Sequence, residues 1–136
     1  MSPDAKLFSG IILITIPTIQ YGGLFLLKIL SGKDKLALTD FQKSMFRAGH
    51  AHAGVLVMLA IIAQFLIDNT MASRSVEMFL RLGFSIAPIL ISGGFFASAS
   101  GKNLVRPNPL IKILYTGVAL LAVVLIFLGV ELIKSR

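Results

Sequence analysis

Four long apolar stretches, separated by clusters of charged residues, follow one another along the 136-residue chain. They cover residues 7–27, 48–67, 82–101 and 113–130 and contain no Asp, Glu, Lys or Arg. Each is close to the roughly 20 helical residues that cross about 30 Å of hydrocarbon. The period-two alternation of a membrane β-barrel is absent from them. The pattern predicts an all-α fold, a four-transmembrane-helix integral membrane bundle.

The same pattern predicts a single membrane domain over residues 1–136, with spans near 7–27, 46–67, 80–101 and 111–132. The first span is longer than the apolar region of a signal peptide, so we expect a retained anchor. The polar residues Thr39 and Asp40 precede the second span, and either is a candidate N-cap that starts the helix before its apolar run. The Arg-Pro-Asn-Pro segment 106–109 is predicted to break the chain and to open the fourth helix.

Composition agrees with a membrane protein: 56% of the residues are hydrophobic, 14% are charged, and the mean hydropathy is +0.88. The chain has no Cys, which excludes disulfide scaffolds, thiolate metal centres and haem attached through a Cys pair. A net charge of +7 would suggest nucleic acid in a soluble protein. In this chain it indicates loops facing anionic headgroups. We therefore expect membrane lipids as partners, no nucleic acid, and a location in the cytoplasmic membrane of a prokaryote.

Lys and Arg are unequally divided between the two ends of the predicted bundle. Eight flank the first and third connections, namely Lys28, Lys33, Lys35, Lys43, Arg47, Lys102, Arg106 and Lys112. Five lie at the other end, namely Lys6, Arg74, Arg81, Lys134 and Arg136. The positive-inside rule then favours cytoplasmic first and third connections, with both termini outside.

The only two histidines of the chain, His50 and His52, lie near the start of the second span. Ionisable side chains inside a membrane are costly and indicate a functional site. At about 100° per residue, positions i and i+2 lie roughly 200° apart around a helix. His50 and His52 are therefore predicted to face opposite sides of the helix and to serve two separate sites. The alternative is that both are neutral imidazoles bonded to neighbouring carbonyls.

Small residues surround both histidines, among them Gly49 and Gly54. Small residues allow close helix packing, and they also leave room for a flat macrocycle. Arg47 lies one turn before His50, where its guanidinium could hold a haem propionate at the membrane surface. An ordinary interfacial cation is the alternative for Arg47. The predicted cofactor-binding residues are thus His50, His52, Arg47, Gly49 and Gly54, with the two histidines as metal ligands.

The sequence His50-Ala51-His52 in the second of four helices resembles an element of heme–copper oxidase subunit one. That family has three four-helix arcs, and a His-x-His on the second helix of the third arc ligates two haems. The resemblance implies that this chain is one arc, that three copies form a homotrimer, and that haem b is shared between His50 of one copy and His52 of another. It also places the motif on the external side, opposite to the Lys/Arg count. Because this chain has no third histidine for copper and no acidic proton channel in its spans, oxygen reduction with proton pumping is not expected.

Three functions are compatible with these residues. The first is haem b binding for electron transfer or for sensing gas or haem. The second is an oligomeric channel or transporter in which a ring of histidines passes copper or zinc. The third is an accessory subunit whose histidines only pack. No catalytic residue is predicted.

Overall fold

The computed structural model describes residues 1–33 and 36–136, which contain four α-helices. The helices are α1 (Pro3–Leu30), α2 (Asp40–Ile67), α3 (Arg74–Ser98) and α4 (Ile111–Lys134). All four are long and apolar enough to cross a membrane, which confirms the predicted fold. Lys35, one of the cations counted above, lies outside the described residues.

Helix ends follow the local sequence at some places and depart from the prediction at others. Thr39 is the N-cap of α2, as predicted, and forms a capping box with Gln42. In contrast, α3 begins at Arg74, well before the predicted span, and ends at Ser98, three residues before the predicted end at 101. The segment 106–109 lies between helices, but α4 begins at Ile111, so the prediction that a proline opens it is wrong.

The helices pack in chain order as an open arc. Contacts join α1 to α2, α2 to α3, and α3 to α4, whereas no Cα pair within 8 Å joins α1 to α4 in the described part of the chain. The buried apolar cluster lies where α2, α3 and α4 meet, includes Ala63, Phe84 and Val124, and takes in Ile12 of α1. Consequently α1 is the least buried helix, and both edges of the arc remain uncovered within one chain.

Glycines explain the close packing of α3 on α4. A Cβ on Gly94 would overlap the backbone of Leu114, and a Cβ on Gly117 would lie 2.8 Å from the backbone nitrogen of Ile91. Small residues let membrane helices approach until their backbones touch. At the neighbouring Gly93, in contrast, an added Cβ would meet no atom of another part of the protein within 4 Å.

Two polar side chains bind carbonyl groups at the C-terminal end of α3. The Nε2 atom of Gln42 donates to the carbonyls of Ala99 and Gly101 at 2.9 and 2.8 Å. The Nδ2 atom of Asn108 donates to the carbonyls of Ala97 and Ser100 at 2.9 and 3.0 Å. Since the last carbonyls of a helix have no partner within it, these amides take the place of the missing turn.

Candidate functional site

The two histidines contact different neighbouring helices, as their spacing predicted. The His50 ring lies beside Gly22 and Gly23 of α1. The His52 ring packs on Phe95 of α3, with ring centroids 4.9 Å apart. One imidazole therefore stands on each flank of α2, and the two do not converge on a common point.

His52 is held in one orientation with one ring nitrogen available. Its Nδ1 atom lies 2.8 Å from the carbonyl oxygen of Ala48, one turn earlier in α2. A carbonyl can only accept, so Nδ1 carries the proton and the lone pair of the neutral ring is on Nε2. The side chain is exposed on the surface of the chain. This is the usual arrangement of a metal-binding histidine, whose second nitrogen donates to a fixed acceptor.

His50 is half-buried and has a different environment. A Cβ on Gly23 would lie 3.0 Å from its Nε2 atom and 3.1 Å from its Cε1 atom. Its nitrogens form no hydrogen bond with the described residues, so the predicted bond to a neighbouring carbonyl applies to His52 alone. With Nε2 against the bare surface of α1, His50 has to turn outward before that atom can reach a metal.

The other predicted site residues have separate roles. Gly49 is buried, and a Cβ there would lie 3.0 Å from side-chain atoms of both Phe95 and Phe96, so its space is filled by α3. A Cβ added at Gly54 would meet no atom within 4 Å. Gly54 lies one turn after His50. Arg47 is exposed and forms no ion pair with the described residues. Positions 47 and 54 are seven residues apart, which places Arg47 and Gly54 on one face of α2 next to His50.

Within the described residues, no three side chains among His, Asp and Glu come together as a metal site. What a single chain presents is one imidazole on each flank of α2.

A second polar cluster is centred on Arg81, near the end of α2 and the start of α3. Its side chain is 0% exposed, and its Nη2 atom lies 2.6 Å from Oδ1 of Asp68. Its Nη1 atom donates to the side chain of Gln64 at 3.3 Å. Nη2 also donates to the hydroxyl of Ser2 at 3.3 Å, which links α1 to the same centre. The sequence pattern places Arg81 beside the third apolar stretch as a flanking cation; because α3 begins at Arg74, Arg81 lies two turns inside the helix.

Asp68, just beyond the end of α2, is kept ionised by this cluster. Burial alone would raise the pKa of its carboxyl. The backbone N–H and the hydroxyl of Ser2, at 2.6 and 2.7 Å, together with the Arg81 guanidinium, outweigh that effect and hold the pKa below its usual value. The start of the third helix could have been found from Ser73 and Glu77, which form an N-cap and acidic first turn. That boundary would have placed Arg81 two turns inside the helix and not at its start.

Comparison of the chain with protein families, with curated proteins and with solved structures found no match. The two clusters differ in kind: the Arg81 cluster has its charges largely paired, whereas Nε2 of His52 and both ring nitrogens of His50 form no hydrogen bond with the part of the chain that the structure describes.

Proposed function

We propose that this protein binds haem b in the membrane and transfers electrons, with the haem held between His52 of one copy and His50 of another. The observation that carries this proposal is the state of His52. Its Nδ1–H is bound to the Ala48 carbonyl and its Nε2 lone pair is exposed among apolar side chains. Packing on Phe95 fixes the plane of the ring.

The i, i+2 spacing supports a haem over a bare ion. A single metal ion on a helix favours ligands at i and i+4, which share a face. His50 and His52 instead contact α1 and α3, on the two flanks of α2. If a haem is bound, His52 of one copy and His50 of another would hold it, because these two side chains lie on opposite flanks of α2.

The open arc supports a closed oligomer. Because α1 and α4 do not meet in the described part of the chain, each copy has two uncovered helix edges. Cyclic homo-oligomers join such edges around an axis. We propose a homotrimer on the resemblance to the three arcs of heme–copper oxidase subunit one. Arg47, exposed beside Gly54 at the end of the span, would pair with a propionate.

Two histidine ligands favour electron transfer over oxygen chemistry. A bound haem would supply reversible one-electron chemistry, and His50 and His52 would hold it. The residues of this chain then orient the group and exclude water. His52 is fixed by Ala48 and Phe95, whereas His50 has no such anchor. Because His50 lacks such an anchor, we expect it to be the weaker of the two residues that would hold the group.

The direct test is an absorption spectrum of the detergent-purified protein with and without dithionite. We expect a Soret band that shifts on reduction and is lost in His52→Ala. Free imidazole added to His52→Ala should restore the band, because it replaces the missing ligand in a folded protein. A colourless wild-type protein after haem supplementation would contradict the proposal, and so would uptake of copper or zinc without any Soret band.

Sharing between copies has its own test. We expect His50→Ala and His52→Ala each to lose haem when produced alone. When the two variants are co-expressed, a contact between an intact His52 and a neighbour's intact His50 forms again at about a quarter of the interfaces under random mixing. Partial return of the Soret band supports sharing. No return, with mixed oligomers demonstrated by differential tags, would show that both ligands come from one copy.

A further inference from the structure

A cavity of about 310 Å³ lies between α1, α2 and α3 in the apolar part of the arc. Ile12 and Ile19 of α1 form one wall, Ala53 of α2 forms the floor, and Pro88, Ser92 and Gly93 of α3 form the other wall. The cavity is partly open to the surroundings, so in a membrane it is reached from the lipid. Its volume is at the lower end of the range for small-molecule pockets.

One hydroxyl at this cavity lacks a partner. Ser92 is 8% exposed and its Oγ forms no hydrogen bond. The other hydroxyls that line the cavity are bonded within their own helices, since Thr15, Thr18 and Ser85 donate to the carbonyls of Ile12, Thr15 and Arg81. A buried hydroxyl without a partner is unfavourable. An acceptor supplied by a bound molecule would satisfy it after rotation about a single bond.

The cavity thus combines apolar walls with the single Ser92 hydroxyl on α3. Such a lining suits a molecule with an apolar body and a small head that bears a carbonyl oxygen as acceptor.

The depth of Ser92 favours a quinone over a phospholipid. Ser92 lies six residues before the end of α3 at Ser98, about 9 Å along the axis. Phospholipid ester groups stay near the interface, whereas the ring of a prenylated quinone can enter the hydrocarbon. Ala53 of the cavity floor is adjacent to His52, and Gly93 lies two residues before Phe95, whose ring packs on His52.

From these observations we infer that the cavity binds a lipid-soluble quinone, with its ring between α1 and α3 and a carbonyl oxygen accepting from Ser92. The choice of a quinone among lipid-soluble carbonyl compounds rests on the proposed electron-transfer function. Binding itself requires only the cavity and Ser92, so it is expected in protein without haem.

The test measures the binding of decylubiquinone to the protein in micelles, against empty micelles, by equilibrium partition. We expect saturable binding near one molecule per chain. Gly93→Leu should weaken quinone binding at least tenfold. A Cβ added at Gly93 would meet no atom within 4 Å, so the leucine side chain can be accommodated and enters the cavity. Gly129→Leu is the matched control. A Cβ added at Gly129 on α4 would also meet no atom within 4 Å, and Gly129 does not line this cavity. Ser92→Ala should weaken binding about fivefold, the value of one hydrogen bond.

Equal binding by the Gly93→Leu and Gly129→Leu variants would overturn the inference, as would wild-type binding no greater than that of empty micelles. A change of oligomeric mass in Gly93→Leu with unchanged quinone binding would identify the cavity as an interface between copies and would also overturn it. The same measurement on His52→Ala separates the two proposals. Retained quinone binding with no Soret band in any sample would refute the haem and keep the quinone site, and the reverse result would refute only the quinone site.

Discussion

The Nη2 atom of Arg81 lies 2.6 Å from Oδ1 of Asp68, and this ion pair joins α3 to the end of α2. The guanidinium is fully buried, and its Nε atom has no hydrogen-bond partner. Burying a charge is costly unless it is paired. The carboxylate of Asp68 is therefore the main group that stabilises the buried charge of Arg81.

Asp68→Asn is expected to destabilise the fold by about 3 kcal/mol, because Arg81 stays buried without its close counter-ion. Glu77, 3.9 Å from the guanidinium, compensates only in part. Unfolding in mixed micelles with increasing dodecyl sulfate measures the effect. The control is Asp40→Asn, whose exposed pair with Lys43 should contribute little. Equal stability of the two variants would show that the buried pair does not support the fold.

Stability should also depend on pH through Asp68. Its pKa in the folded protein is lowered by the hydrogen bonds from Ser2 and by Arg81, so the folded state favours the ionised carboxyl. The resulting stabilisation is present above the unfolded pKa of about 4 and is lost as the pH falls through the folded value. The wild type should therefore lose its advantage over Asp68→Asn between about pH 5 and pH 2. A stability difference that is constant over this range would contradict the lowered pKa.

Two adjacent glycines give a third prediction. Gly94→Ala should destabilise the protein by about 2 kcal/mol, because the new Cβ overlaps the backbone of Leu114 and forces α3 away from α4. Gly93→Ala places the same methyl group where no atom lies within 4 Å. It should be neutral or slightly stabilising, since Ala is the better helix former. The same unfolding assay measures both, and an equal response would show that the close α3–α4 contact is not formed.

Local signals in the sequence were sufficient for the helices and for the directions of the histidines. Thr39 and Gln42 are three residues apart and form a capping box that any neighbouring helix leaves unchanged. The opposite facing of His50 and His52 follows from helix geometry alone.

The Arg81 cluster was missed because its partners come from distant parts of the chain. Ser2 and Asp68 meet Arg81 only after three helices have packed, and the hydropathy pattern uses Asp68 and Arg81 only as the charged residues that border the second and third apolar stretches. The role of Gly49 was undetermined for a similar reason. A glycine leaves space, and only the packing of Phe95 and Phe96 decides what fills it.

The contact of His50 with Gly23 leads to the last prediction, which concerns haem affinity. In the present position Nε2 of His50 faces α1, so ligation requires the ring to leave this surface. The apparent haem affinity is the intrinsic affinity multiplied by the fraction of time that the His50 ring spends away from α1. Gly23→Ala places a Cβ 3.0 Å from Nε2, which disfavours the present position and should raise haem affinity by about threefold. Haem titration followed at the Soret band measures the affinity. Gly10→Ala is the control, because Gly10 is in the same helix and a Cβ added there would meet no atom within 4 Å. Loss of haem from Gly23→Ala, as in His50→Ala, would mean that the ring binds iron from its present position or that the glycine surface itself holds the macrocycle.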